Sequence, residues 1–105
     1  MGIFDFLNQN NKAENIKDFL EANAVVVDVR SASEYAGGHI DNSVNIPLDT
    51  VGDHFGKWSK DKTQVIFCCA SGMRSGTAAK KAKSAGVNAI NGGGWTSLRK
   101  KVEAN

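Results

Sequence analysis

Two stretches constrain the fold more than anything else in this chain: "AVVVDV" (24–29) and "QVIFC" (64–68). The first is too short for a buried helix, and its apolar side chains do not alternate with polar ones. It therefore reads as a strand covered on both faces, the position of a central strand in a parallel sheet. The second is the next long strand. Parallel neighbours need a crossover between them, so the intervening residues should hold helices.

The helical signals fall where that topology needs them. Asn11 followed by Glu14 predicts an N-cap, with Ala13, Ile16, Phe19 and Leu20 at helical spacing as far as Asn23. Ser31 and Glu34 form an S-x-x-E capping box for a short helix that Gly37 and Gly38 should stop. "SVNIP" is a short strand ended by Pro47, after which Asp49 is expected to cap a helix carrying Val51, Phe55 and Trp58. "GTAAKKAKSAG" predicts a helix closed by Gly86, with Ala78, Ala82 and Ala85 as its buried face. "VNAI" is another short strand, and Trp95, Leu98 and Val102 mark a last amphipathic helix. Strands alternating with helices at this spacing imply an α/β fold, a small parallel central sheet with helices on both faces.

With 105 residues, 41% of them hydrophobic, the chain can bury one core but not two, so residues 1–105 are expected to form a single domain. Within it, residues 1–11 are expected to be a flexible or sheet-edge segment. Neighbouring cysteines rarely reach disulfide geometry, so Cys68 and Cys69 read as reduced thiols of a soluble, cytoplasmic protein. "MGIFDFLNQNN" lacks the features of a secretory leader, and no apolar run approaches membrane-spanning length. A net charge of +2 argues against nucleic acid as a partner, and no membrane contact is expected. The basic residues Arg74, Lys80, Lys81, Lys83, Arg99, Lys100 and Lys101 read as solvated helix faces.

Chemistry concentrates in "CCASGMRS" (68–75). Ligands of open α/β sheets bind beyond the carboxyl ends of the strands, and Cys69 is predicted at such an end. The segment from Ala70 to Arg74 must then bend into a helix starting near Ser75, aiming several backbone N–H groups into one concave loop. Those donors and the positive helix end favour an anion, either a bound phosphate or the thiolate of Cys69 itself. Gly72 permits the turn, and Arg74 offers a planar fork of donors suited to a tetrahedral oxyanion. Asp28, Arg30 and Glu34 read as a polar cluster bracing this loop rather than as catalytic groups.

At this point the sequence resembles the rhodanese (thiosulfate sulfurtransferase) family, specifically its single-domain members. "VVVDVRSASEYAGGHIDNSVNIPLD" looks like the family's first signature, "FCCASGMRSG" like its active loop, and "NGGGW" like the glycine-rich stretch before the last helix. The resemblance implies a rhodanese-like three-layer domain in which Cys69 accepts a sulfur atom as a persulfide. It further implies that the amides of Ala70, Ser71, Gly72, Met73, Arg74 and Ser75 hold the outer sulfur, and that the Arg74 side chain meets a small anionic sulfur donor. Thiosulfate or a similar donor would supply the sulfur, and the acceptor would be cyanide or a thiol, a thioredoxin-like protein among the thiols. No metal or organic cofactor is required, and the protein is expected to be a monomer or homodimer. The family's extra strand before the first helix has only "MGIFDFL" to form it.

Two rival readings stand beside this one. Counted from Cys68, five residues precede Arg74, the C-x5-R spacing of cysteine-dependent phosphatases and some arsenate reductases. Cys69 is favoured because Cys68 continues the strand and the shorter loop suits one sulfur atom. The other rival is a rhodanese-like module that carries sulfur for a partner, or binds one, without turnover. His39 and His54 lie at no ligand spacing, so no metal site is expected; His39 should make structural hydrogen bonds and His54 lie on an exposed face. "GGGW" lacks phosphate-loop spacing and reads as a tight entrance to the last helix.

Overall fold

The computed structural model describes residues 13–105. The predicted segments at residues 1–11, the Asn11 cap and the extra strand from "MGIFDFL" lie outside the described residues. Helix α1 (Ile16–Glu21) is capped by Asn15, whose side chain accepts from the Asp18 amide. Strand β1 (Val25–Asp28) follows, then helix α2 (Ala32–Ala36), which opens on both bonds of the Ser31–Glu34 capping box and stops at Gly37. The two-residue strand β2 (Val44–Asn45) leads to a 3₁₀ turn (Val51–His54) and helix α3 (Phe55–Asp61). Asp49 does not cap this helical segment: Thr50 occupies the cap position and makes no side-chain cap bond. Strand β3 (Gln64–Cys69), helix α4 (Met73–Ser84), strand β4 (Asn88–Gly94) and helix α5 (Trp95–Ala104) complete the described chain.

The four strands form one sheet in the order β2-β1-β3-β4, every pair parallel. Alternation along β3 divides the core. Val65, Phe67 and Cys69 face Val51, Ala78, Ala79 and Ala82 together with Phe55 and Trp58, under α3 and α4. Ile66 and Cys68 face Phe19, Ile40 and Leu98 on the other side, under α1 and α5. Adjacent strand residues point to opposite faces, so the two neighbouring thiols end in different cores. The buried stripe of α4 is Ala78, Ala79 and Ala82; Ala85 is exposed, because the helix ends at Ser84 and Ala85 sits at its C-cap. Small side chains there let α4 lie close to the sheet, directly behind the end of β3.

β4 runs further than "VNAI" suggests and includes the three glycines. Its register against β3 shifts between Phe67 and Cys68, which pair with Asn91 and Gly93, leaving Gly92 as the extra residue of a bulge. The glycine stretch is thus the strand end that lines the active loop, not only an entrance to α5.

Candidate active site

The loop from Cys69 into α4 is built by two constraints. Gly72 sits at the N-cap of α4 with φ +101, a conformation open to glycine, and a Cβ there would lie 3.3 Å from Gly93 Cα. Gly94 lies so close on the other side that a Cβ would stand 2.9 Å from the Ala70 carbonyl oxygen. The bulged end of β4 therefore presses the loop back over the end of β3.

Cys69 lies at the floor of this loop, 1% exposed. Its Sγ accepts hydrogen bonds from the Gly72 amide at 3.0 Å and the Ser75 amide at 3.4 Å, and the Ser75 hydroxyl oxygen lies within donating reach at 3.3 Å. Burial pushes the thiol up, but the Ser75 hydroxyl and the amides of Ser75, Gly72 and Ser71 outweigh it and hold the Cys69 pKa below the ordinary thiol value. Cys68 is the opposite case. It is fully buried on the far face, where burial, then the neighbouring Asp28 carboxylate, push its thiol up to about 12. One of two adjacent sulfurs is tuned toward the thiolate and the other away from it. The five-residue count from Cys68 to Arg74 consequently describes no loop closing over the Cys68 sulfur.

Among the other loop residues, Ala70, Ser71 and Met73 are exposed, Met73 to 81%. Arg74 forms a two-pronged pair with Glu34, Nη1 to Oε1 at 2.8 Å and Nη2 to Oε2 at 3.0 Å. Glu34 also closes the α2 capping box, so the loop cation is held by a carboxylate that is itself fixed to the Ser31 amide at 3.0 Å. Arg74, then Ser31, hold the Glu34 carboxyl down at about 2.

Asp28, Arg30 and Glu34 lie near enough for both carboxylates to act on the Arg30 charge, but their hydrogen bonds go to different places. Asp28 and Arg30 make a buried two-pronged pair of their own, with Arg30 Nη2 to Asp28 Oδ2 at 2.8 Å. The same guanidinium reaches the Gly38 carbonyl at 2.7 Å and lies 4.8 Å from the centroid of the Trp95 ring. This pair ties the end of β1 to the turn after α2 and the start of α5, whereas Glu34 alone reaches the Cys69 loop. His39 bonds the Tyr35 carbonyl at 2.8 Å and stacks on the Tyr35 ring; His54 is exposed beside Trp58.

Two side chains carry more of the site than the sequence suggests: the hydroxyl of Ser75 and the amide of Asn91. Ser75 is fully buried and donates to Asn91 Oδ1 at 2.7 Å as well as facing Cys69. Asn91 bonds the Gly72 carbonyl at 3.1 Å and accepts the Gly93 amide at 2.9 Å. In the sequence Asn91 stands only as the first residue of "NGGGW"; the structure places it inside β4, facing the loop that follows β3.

Comparison with known proteins agrees with this geometry. The chain is 35% identical over 75 residues to the tRNA sulfurtransferase of Thermoplasma acidophilum, a match covering 71% of this chain and 15% of that protein. It is 38% identical over 80 residues to the thiosulfate:glutathione sulfurtransferase of Saccharomyces cerevisiae, covering 65% of this chain and 58% of that one. The chain thus spans under two thirds of either relative. A rhodanese-related protein from Thermoplasma volcanium superimposes with a TM-score of 0.67 at 29% identity, over 86% of this chain and 92% of that one. The family model for the rhodanese-like domain matches residues 12–101, and with the parallel sheet and a cysteine loop at its carboxyl edge it establishes that this chain belongs to the rhodanese family.

Proposed function

We propose that the protein is a sulfurtransferase in which the Cys69 thiolate takes a sulfane sulfur from thiosulfate or a similar donor and passes it to cyanide or a thiol. One observation carries this reading: Sγ of Cys69 faces three hydrogen-bond donors of the loop that surrounds it, the Gly72 amide and the amide and hydroxyl of Ser75, while the adjacent Cys68 receives no hydrogen bond among the described residues and faces the opposite core. In the first step the thiolate attacks the outer sulfur of the donor. The new S–S bond forms as the bond to sulfite breaks, and the electron pair leaves with sulfite. The persulfide then gives its outer sulfur to the acceptor, and Cys69 leaves as the thiolate that the same donors stabilise.

The Gly72 and Ser75 amides already meet the sulfur, and the remaining loop amides supply the cradle for the sulfur attached to it. Arg74 reaches an incoming anion only while its fork shares charge with Glu34, so its pull on the donor is weaker than that of an unpaired guanidinium. Two reduced thiols fit a cytoplasmic setting. Among the described residues no helix is long and apolar enough to cross a membrane.

Intact mass after incubation with thiosulfate tests the reading. The wild type should gain the mass of one sulfur atom and lose it on adding cyanide; Cys69→Ser should gain nothing, and Cys68→Ser should behave as wild type. Equal loss in both variants assigns the chemistry to the pair and overturns the role of Cys69. Sulfur gained but released only once, without turnover, marks a carrier.

A further inference from the structure

Asn91 is held by two backbone groups whose roles are fixed. The Gly72 carbonyl can only accept, so it takes Nδ2 at 3.1 Å; the Gly93 amide can only donate, so it takes Oδ1 at 2.9 Å. That orientation aims Oδ1 at the Ser75 hydroxyl, 2.7 Å away. The same hydroxyl oxygen is 3.3 Å from Cys69 Sγ. A hydroxyl has one hydrogen and two lone pairs, so it cannot donate to both neighbours at once.

The protonation of Cys69 decides which neighbour receives it. With a thiol, S–H points at a Ser75 lone pair, and the hydroxyl hydrogen goes to Asn91. With a thiolate, the hydroxyl turns to the sulfur, and Oδ1 keeps only the Gly93 amide. In the persulfide the inner sulfur is neutral and a poor acceptor, so the hydroxyl returns to Asn91. The Ser75 proton changes direction in this cycle but never leaves its oxygen.

We propose that Asn91 is a positioning residue that competes with the Cys69 sulfur for the Ser75 hydroxyl, favouring the thiol and the persulfide over the bare thiolate. Its action on sulfur transfer rests on the reading of Cys69 as the sulfur-accepting thiol; its action on the ionisation of Cys69 does not. As the donor's sulfur bonds to Sγ and the leaving group departs with its electron pair, Asn91 regains the hydroxyl, which draws the equilibrium toward the persulfide. The other charged groups around Cys69 are Arg74 from α4 with its partner Glu34 from α2, and Asp28 with Arg30 beyond Cys68. They are the same in wild type and Asn91 variants.

The test is the pH dependence of Cys69 alkylation by iodoacetamide in the full chain, located by peptide mass. Removing the competing acceptor in Asn91→Ala should move the ionisation midpoint down by about 0.5–1 pH unit, the worth of one hydrogen bond. In a Ser75→Ala background the same substitution should not lower it. A residue that merely supports the loop predicts the reverse, since a slack loop loses amide bonds to the sulfur and the midpoint rises in both backgrounds. A rise, or an equal fall in both backgrounds, overturns the proposal. If Asn91→Ala fails to fold, Asn91→Leu, close in volume and without polar atoms, carries the same expectation. The second readout is the persulfide fraction at a fixed thiosulfate-to-sulfite ratio, measured above the Cys69 ionisation midpoint where the free enzyme is thiolate; its equilibrium constant should fall about threefold to tenfold in Asn91→Ala. No persulfide in the wild type would sink the sulfurtransferase reading, while the alkylation midpoints would still decide the role of Asn91.

Discussion

At the scale of single residues, the main question is how a protein distinguishes two sulfurs joined by one peptide bond. Strand alternation separates them by face, and the loop then acts on one alone. Of the groups that lower the Cys69 pKa, the Ser75 hydroxyl ranks first, ahead of any amide. Ser75→Ala should therefore raise the Cys69 ionisation midpoint by about one pH unit, the value of one hydrogen bond to a charged group. Alkylation rates from pH 6 to 10 would measure it, and an unchanged midpoint would return the tuning to the amides. At neutral pH, denaturation should be needed before Cys68 reacts, because its thiol is fully buried and held near 12. A second adduct on the folded protein would contradict that assignment.

At the scale of elements, the contact between the end of β4 and the active loop matters most. Gly94 has φ −69, allowed for any residue, so alanine there is opposed only by the 2.9 Å approach of its Cβ to the Ala70 carbonyl. Gly94→Ala should cost roughly 1–3 kcal/mol in denaturant unfolding and should slow reaction at Cys69, because backbone on both sides must give way. Wild-type stability and reactivity would mean that the strand end does not set the loop. This contact also marks the limit of what the sequence could reveal. The continuous apolar runs, the Ser31–Glu34 box and the cysteine at a strand end rest on local chemistry, and all were legible. Asp49 failed as a cap because its neighbour Thr50 takes that position, a one-residue boundary choice that propensity does not resolve. Ala85 failed as a core residue for a similar reason, since α4 ends one residue before it. Asn91 carries no local signal of its role, because its partners, the Gly72 carbonyl and the Ser75 hydroxyl, follow β3 and meet it only once the two strands pair.

At the scale of the whole molecule, two ion pairs hold the carboxyl edge of the sheet, and their environments give them different work. Asp28 and Arg30 are 0% and 5% exposed and join β1 to Gly38 and Trp95. Asp28→Asn leaves a buried guanidinium short of its counter-charge, and about 3–5 kcal/mol of stability should be lost. A loss under 1 kcal/mol would mean that water reaches Arg30. Glu34 and Arg74 are 37% and 39% exposed, so solvent screens their attraction and little stability follows from it. What the outer pair supplies is a link from α2 to the helix that carries the cysteine loop, and the link has a pH signature. The Glu34 carboxyl sits at about 2 when folded, below its ordinary 4.5. A depressed carboxyl stabilises the fold above its unfolded pKa and loses that contribution as pH falls through the folded one. The stability difference between wild type and Glu34→Gln should therefore be constant above about pH 4.5, shrink below it and vanish near pH 2. Urea unfolding of both proteins across that range would show it. No difference between the two proteins at any pH would mean that Glu34 acts through its capping box, where glutamine also serves, and that Arg74 holds the loop without it.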